Sequence, residues 1–356
     1  MKLGVVAYSS RTGLGYQSRD FCRNMNPDKI LVIDLSSHNQ IEVNHNWTND
    51  HDAQIHVCQG YPQNVDYQWL TSDIDCVFVF ESPLNYYLYQ IAAERGVKVV
   101  AQYNYEFLDY FLHGDWLRPD LLAAPTRWGI DRVKNLGVAP VELLPVPIDR
   151  KELPFREIKQ CKTFIHILGR PAAQDRNGTI AFLQAAKLLG NQYNYKIFYQ
   201  RPFDERASEL FYPVAQMMDQ MRDEVEIIHD VAHRQDLYKQ GDVLVMPRKY
   251  GGLCLPVNEA LSSGMPVIMT NISPNDDLLD RSWLVNATHV GHYPDRYWVP
   301  MFEANIGSLT ERMRYFGEND DNVIQANKRA DEIAQMYAWE NMISEYNQVM
   351  EQLCQK

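Results

Sequence analysis

A glycine-rich loop followed by a helix occupies residues 250–268 and is the segment best suited to chemistry. Two adjacent glycines let the backbone adopt positive φ and let a ligand approach the main chain closely. The helix is predicted to begin at Leu255-Pro256, because proline is favoured in a first helical turn. Amides at such a helix start attract an anion. The residues predicted to contact a phosphorylated ligand here are Gly251, Gly252, Leu253, Cys254 and Leu255.

A carboxylate, Glu259, follows one turn inside that helix. Its charge would repel a phosphate, but two oxygens can accept hydrogen bonds from neighbouring hydroxyls of a ribose or another sugar. A glutamate in an early helical turn is also favoured by the helix dipole alone. Amides suited to phosphate beside a carboxylate suited to hydroxyls predict a nucleotide-sugar site.

Two arginines lie in the loop predicted to follow the first strand of the second half of the chain. The loop begins at Gly169-Arg170 and continues to Arg176-Asn177-Gly178. Guanidinium geometry matches phosphate oxygens well, so Arg170 and Arg176 are predicted to reach a diphosphate. The alternative is that both are solvated surface arginines.

Two further loops are weaker candidates for contacts to the same ligand. Gly13 and Gly15 lie between the first strand and the first helix, where backbone amides can face a phosphate or form an ordinary turn. The loop lacks a dinucleotide fingerprint, because Ser18 stands at the third glycine position. His229 follows a later strand and is expected either to contact a base or to be a satisfied loop histidine.

Polar residues also follow a buried strand in the first half of the chain. Tyr103, Asn104 and Glu106 come directly after the run that ends at Gln102. Loops that follow buried strands often carry sites, so these three side chains are predicted to bind an acceptor. Glu106 is the candidate base, and helix N-capping explains it equally well.

These motifs require two series of strands and helices. Apolar runs alternate with helical patterns, which predicts parallel sheets covered on both faces. The predicted strands are Leu3–Ala7, Ile30–Ile33, Cys76–Phe80, Val97–Ala101, Leu121–Ala124 and Val141–Leu144, then Thr163–Leu168, Lys196–Tyr199, Val225–Ile228, Val243–Met246, Pro266–Met269 and Leu284–Val285. A proline-rich stretch at 144–155 reads as the linker. The fold class predicted is α/β, with two Rossmann-like domains facing a cleft.

Composition narrows the function classes. The chain has 356 residues and a net charge of −12, which argues against general affinity for nucleic-acid phosphates. No apolar run reaches the roughly 20 residues of a membrane span. Six cysteines without a CxxC pair are typical of reduced thiols in the cytoplasm. Ten histidines without metal-ligand spacing predict no metal site.

Together these segments resemble a glycosyltransferase of the GT-B fold, close to the large retaining family 4. Residues 251–268 resemble that family's E-x7-E signature, and the resemblance implies that Glu259 holds the nucleotide ribose. It also implies that Gly169, Arg170 and Arg176 contact the diphosphate. Gly251 stands where the first glutamate is expected, and Asn177 stands where a lysine is expected.

The resemblance implies transfer of a hexose or pentose, with retention, from a nucleoside diphosphate-sugar to a hydroxyl. UDP is the favoured nucleotide. Arg170 and Arg176 would stabilise the leaving diphosphate, and neither metal nor cofactor is expected. It implies domains over residues 1–150 and 151–335, with a helix at 336–356 returning to the first, in a monomer or homodimer.

Three alternatives stay open at this stage. The acceptor is a glycan, a small molecule or a hydroxymethylated DNA base, for which a group of arginines in the first half would be suited. A second alternative is that the protein is a nucleotide-sugar epimerase, with Glu106 as its acid or base. A third alternative is that it is a non-catalytic nucleotide-sugar binding module, consistent with glycine at position 251.

Overall fold

The computed structural model describes residues 1–34, 51–60, 63, 65–111, 118–169, 175–200, 205–229, 231 and 233–355. The chain divides into two compact units. Unit 1 comprises Met1–Pro147 together with Trp339–Lys356, and unit 2 comprises Ile148–Ala338. None of the described helices combines the length and the apolar run needed to cross a bilayer.

Unit 1 is built on a seven-stranded sheet with the order β3-β2-β1-β4-β5-β6-β7. Its strands are β1 Leu3–Tyr8, β2 Lys29–Asp34, β3 Gln54–Gln59, β4 Cys76–Phe80, β5 Lys98–Gln102, β6 Leu121–Ala124 and β7 Val141–Leu143. All recorded pairings are parallel. Strands β1 and β4 are buried along their whole length, as expected for a parallel sheet covered on both faces.

Helices cover this sheet. They are α1 Gly13–Met25, α2 Tyr67–Leu70, α3 Tyr87–Arg95, α4 Ile130–Leu136 and, from the C-terminus of the chain, α12 Trp339–Cys354. Trp339 and Tyr346 of α12 pack edge-on against Phe21 of α1, both with ring centroids 5.9 Å apart. The C-terminal helix therefore completes the aromatic core of unit 1.

Unit 2 is built on a six-stranded sheet with the order β10-β9-β8-β11-β12-β13. Its strands are β8 Thr163–Gly169, β9 Asn194–Tyr199, β10 Val225–His229, β11 Val243–Met246, β12 Val267–Thr270 and β13 Leu284–Val285. Its helices are α5 Thr179–Leu189, α6 Glu205–Gln220, α7 Arg234–Tyr238, α8 Leu255–Ser262, α9 Asn275–Leu278, α10 Ile306–Gly317 and α11 Asp320–Met336. These two parallel α/β sheets confirm the predicted fold class.

The sequence did not predict the short helices α2, α7 and α9, nor one strand and one hairpin. Strand β3 is an edge strand whose residues are mostly exposed or half-buried, so it lacks the apolar run that marks the other strands. An antiparallel hairpin, β14 Ala287–Tyr293 and β15 Arg296–Ala304, follows β13. Its mixed polar and aromatic sequence gives no continuous hydrophobic signal.

The strand orders define one crevice in each sheet. In unit 1 the chain runs outward from β1 to β2 and then returns to β4 on the other side of β1, and in unit 2 it does the same at β8 and β11. Ligands of open α/β sheets bind at such switch points, outside the carboxyl ends of the strands. A binding site is therefore expected at the loops after β1, β4, β8 and β11.

Candidate functional site

The loops after β8 and β11 meet at the switch point of unit 2. The Lys249 amide donates to the Arg176 carbonyl at 2.9 Å, which joins the two loops. Gly178 adopts φ 74°, and a Cβ there would clash with the Pro247 carbonyl oxygen. Glycine is required at this position for the start of α5 to approach the second loop so closely.

Two guanidinium groups converge on Gly251, the first glycine of the predicted ligand loop. Gly251 adopts φ 119°, and a Cβ built on it would lie 2.5 Å from Arg248 Nη2 and 2.6 Å from Arg176 Nη2. Arg248 is only 4% exposed. Two positively charged groups that can donate hydrogen bonds thus lie close together beside the main chain of this loop. The structure thus adds Arg248 to the predicted Arg176.

Helix α8 begins directly after this loop. Cys254 is its N-cap residue and makes no side-chain capping bond, and a proline occupies the first turn. The N-cap side chain therefore does not satisfy the first amides of α8, and the helix dipole adds a positive potential there. Gly252, Leu253 and Leu255 lie on the same short path between the arginines and the helix.

The N-terminus of α5, by contrast, is already occupied. The Asp175 carboxylate accepts hydrogen bonds from the Thr179 amide at 2.8 Å and the Ile180 amide at 3.0 Å. Burial raises the pKa of Asp175, and these two hydrogen bonds partly offset the rise. These two amides at the start of α5 are therefore satisfied by a side chain of the protein itself.

Asn177 holds the end of β8. Its Nδ2 donates to the carbonyls of Leu168 at 2.9 Å and Ile167 at 3.2 Å. Gly169 ends the strand with φ 68°. The amide at position 177 therefore shapes the loop that carries Arg176, whereas Arg170 lies outside the described residues.

Glu259 belongs to a network of buried polar groups. Its carboxylate accepts from Tyr238 Oη at 2.5 Å and lies 3.2 Å from Arg234 Nη1. Arg234 Nη2 also lies 3.1 Å from the Glu152 carboxylate. Burial raises the pKa of Tyr238, and the neighbouring Glu259 adds to the rise. A carboxylate offers about four lone-pair sites, so this network fixes Glu259 in place and leaves acceptor capacity for ligand hydroxyls.

His229, the remaining candidate of unit 2, lies at the end of β10. Its Nε2 is 2.7 Å from Tyr199 Oη, and the two ring centroids are 3.9 Å apart. His229 is exposed while Tyr199 is buried. The ring is therefore oriented by a neighbour and still presents a face to solvent.

In unit 1, Gly13 and Gly15 form the first turn of α1. Thr12 is the N-cap, and its Oγ1 accepts from the Gly15 amide at 3.4 Å. A Cβ at Gly15 would clash with the Ser10 carbonyl oxygen. Close packing of the loop on the helix is therefore sufficient to explain glycine at position 15, whatever else it contacts.

The other predicted residues of unit 1 follow β5. Tyr103 is 1% exposed, Glu106 is 4% exposed and Asn104 is half-buried. Among the described residues, neither Tyr103 Oη nor Asn104 Oδ1 has a hydrogen-bond partner. Burial raises the pKa of Tyr103, so its hydroxyl stays protonated. Buried polar atoms without a partner are uncommon and call for an explanation.

Comparisons with known proteins identify a family model and solved structures that are similar to this chain. Residues 163–294 match the family model described as "Glycosyl transferases group 1". This span contains the arginine pair, the glycine loop and Glu259. No curated protein is similar to the chain in sequence at a significant level.

Several solved structures share the fold over nearly the whole chain. Anabaena HepE in complex with UDP and glucose has a TM-score of 0.71 at 11% identity, over 99% of this chain and 100% of that one. Sucrose-phosphate synthase from Thermosynechococcus elongatus has a TM-score of 0.69 at 11% identity, over 99% of each chain. A glycosyltransferase from Rickettsia africae has a TM-score of 0.68 at 10% identity, over 99% and 98%.

The fold is therefore the GT-B fold of these enzymes. The match over residues 163–294 supports the resemblance to group 1 glycosyltransferases that the sequence predicts. The assignment to retaining family 4 stays a prediction.

Proposed function

We propose that the protein transfers a sugar from a UDP-sugar to a hydroxyl acceptor with retention of anomeric configuration. The observation that carries the proposal is the convergence of Arg176 and Arg248 on Gly251, directly before the N-terminus of α8. A diphosphate offers oxygens to both guanidinium groups and to the helix amides at once. The UDP bound in the structure of Anabaena HepE, which shares the fold, supports this nucleotide.

The remaining donor contacts follow from the neighbouring residues. Glu259, fixed by Tyr238 and Arg234, accepts hydrogen bonds from the ribose hydroxyls. Gly251, Gly252 and Leu253 leave room for the sugar against the main chain. His229 contacts the base through its solvent-facing side. Arg170 and the glycines at 13 and 15 complete the set of donor contacts predicted from the sequence.

The chemical step needs charge stabilisation above all. The bond between the anomeric carbon and the β-phosphate oxygen breaks, and the negative charge left on UDP is stabilised by Arg176, Arg248 and the α8 dipole. Because the configuration is retained, the acceptor oxygen forms the new bond to the anomeric carbon on the face from which UDP departs. Glu106 takes the proton of the acceptor hydroxyl, and the proposal requires neither a metal nor a cofactor.

Acceptor binding is proposed for the polar residues after β5. Tyr103 Oη and Asn104 Oδ1 are buried in the described part of the chain without a protein partner. A hydroxylated acceptor would satisfy both atoms, because a hydroxyl can donate and accept. Activity assays with different UDP-sugars and acceptors, including a hydroxymethylated DNA base, determine which sugar is transferred and which acceptor receives it.

Direct measurement of UDP binding tests the proposal. We expect Arg176→Ala and Arg248→Ala each to weaken UDP binding by about 10- to 100-fold, the effect of losing a charge-assisted hydrogen bond. Arg222→Ala is the matched control, because that arginine lies in the same unit with a side chain 66% exposed. UDP binding that is unaffected by both site variants would refute the donor site.

Incubation with UDP-sugars then separates the alternatives. Release of UDP and a new glycoside only when an acceptor is present indicates a transferase. Conversion of the donor without acceptor indicates an epimerase. Binding without turnover against any acceptor indicates a binding module.

A further inference from the structure

The hairpin β14–β15 is attached to the loop that carries Arg248 and Gly251. The Phe302 amide donates to the Lys249 carbonyl at 2.9 Å. The Lys249 ammonium lies 3.3 Å from the Glu303 carboxylate, and the lysine side chain is only 17% exposed. The hairpin thus holds the middle of this loop through both the main chain and a side chain.

The loop is also held from the sheet. Thr270 Oγ1 at the end of β12 donates to the Arg248 carbonyl at 2.6 Å. A third contact comes from the loop after β8, where the Arg176 carbonyl accepts a hydrogen bond from the Lys249 amide. These bonds fix the main chain at positions 248 and 249. The side chains of the loop are then held in place by the residues that pack against them. Tyr250 provides that packing.

Tyr250 lies between an arginine of the site and a tyrosine of the hairpin. The guanidinium carbon of Arg176 is 5.4 Å from the centroid of the Tyr250 ring. The ring of Tyr293 meets Tyr250 edge-on at 5.2 Å and 64°. The Arg296 guanidinium lies over Tyr293 at 5.4 Å. Tyr250 is 6% exposed, so its ring has little freedom to tilt away.

This stack constrains the group that is proposed to bind phosphate. An arginine side chain loses rotamer freedom when it is fixed, and fixing it before the ligand arrives lowers the cost of binding. Cation–π contact favours the position of Arg176 over the ring face, and the edge-on tyrosine fixes the ring itself. Through Tyr250, the hairpin therefore constrains the position of Arg176.

We propose that Tyr293 is a positioning residue for the donor diphosphate, acting through Tyr250 on Arg176. The inference rests on the proposed function, because it assigns the hairpin a role in UDP recognition by the same site. It extends that function to an element outside the two parallel sheets. It also predicts that the contribution of Tyr293 disappears when Arg176 is absent.

Isothermal titration of the full chain with UDP tests this prediction through a double-mutant cycle. We expect Tyr293→Ala to weaken UDP binding by about 3- to 10-fold, in line with one aromatic pair, and Tyr293→Phe to retain wild-type affinity. Tyr293→Leu, which keeps apolar volume without a ring, should behave as Tyr293→Ala and covers the case of a poorly folded alanine variant. Tyr297→Ala is the matched control, since that tyrosine of β15 is 70% exposed.

The Arg176→Ala background supplies a readout that general destabilisation would not change. There, Tyr293→Ala should cause no further loss of UDP affinity, because the group it positions has been removed. Equal losses in both backgrounds, or no loss in the wild-type background, would overturn the inference while the donor site stands. Failure of the unmodified protein to bind UDP would overturn both.

Discussion

At the scale of single residues, the glycine at position 251 leaves space for two guanidinium groups beside the main chain. The resemblance drawn from the sequence implies a glutamate at this position, where this chain has glycine. The tips of Arg176 and Arg248 reach to within 2.6 Å of a Cβ built at that position. The result is a cationic junction beside the start of α8, suited to an anionic ligand.

Restoring the carboxylate should therefore impair donor binding. In Gly251→Glu the new side chain would pair with both guanidinium groups and occupy the place of the phosphates. We expect UDP affinity about 10-fold lower than in Gly251→Gln, which has the same size and the same strain at positive φ. Titration calorimetry measures the difference, and equal affinities of the two variants would show that charge at this position is unimportant.

A buried histidine couples the stability of unit 2 to pH. His166 Nδ1 is 2.7 Å from the Val245 carbonyl, and Nε2 is 3.0 Å from Thr179 Oγ1. Burial lowers the pKa of His166 from 6.5 to about 4, although the bond to Val245 partly offsets the shift. The unfolded chain therefore binds a proton between pH 6.5 and 4 that the folded chain does not bind.

Stability should accordingly be complete above pH 6.5 and decrease as the pH falls towards 4. Between pH 7 and 5 we expect this residue to reduce the free energy of unfolding by about 2 kcal/mol. Urea denaturation followed by tryptophan fluorescence, to which the buried Trp283 of unit 2 contributes, measures the trend. His166→Gln should be less stable at pH 7 yet show a flatter pH dependence, and an unchanged slope would contradict the assignment.

At the scale of elements, both helix starts at the switch points depend on glycines that admit close backbone contact. Gly178 brings the start of α5 against Pro247, and Gly15 brings α1 against Ser10. Helix α5 is capped by its own Asp175, whereas α8 has no side-chain cap. The starts of these two helices thus differ in whether a side chain satisfies the first amides.

Substitution of Gly15 tests the packing requirement. In Gly15→Ala the methyl group would clash with a backbone carbonyl, so we expect unit 1 to lose about 1–3 kcal/mol of stability or more. Gly307→Ala is the control, because its Cβ would meet only Asn305 Oδ1 at 3.3 Å in the first turn of α10. That variant should be neutral or slightly stabilised. Thermal melts compare the two, and similar midpoints would show that α1 can shift away from the loop.

At the scale of the whole molecule, the net charge of −12 bears on the choice of acceptor. The arginines considered for a DNA-binding patch are Arg11, Arg19, Arg23, Arg118, Arg127 and Arg132. The structure buries Arg19, which lies over the Tyr16 ring at 5.1 Å and 3.4 Å from the Asp20 carboxylate. At least this member is not on the surface.

We therefore expect weak affinity for duplex DNA. At physiological salt the dissociation constant should be about 100 µM or weaker, at the weak end of non-specific binding. Fluorescence anisotropy with duplexes that do or do not contain hydroxymethylated bases measures this. Binding below about 1 µM with a steep salt dependence would favour the DNA acceptor over a glycan or small molecule.

The sequence by itself determined the elements that are encoded locally. Continuous apolar runs marked the strands of both sheets except β3, and the spacing around Pro256 marked α8 as observed at Leu255–Ser262. The break before the last helix was also visible near Tyr337, where α11 ends at Met336 and α12 begins at Trp339. Such patterns depend on periodicity within a few turns.

Only the tertiary structure decided which side chains meet. The pairing of Arg248 with Arg176 depends on two loops brought together by the strand order, and no local pattern separates Arg248 from a solvated loop arginine. The role proposed for the hairpin likewise depends on a tertiary contact. Tyr293 acts through Tyr250, and the periodicity of the hairpin sequence does not reveal this contact. Contacts between segments distant in the chain are set by packing, which a local sequence pattern does not encode.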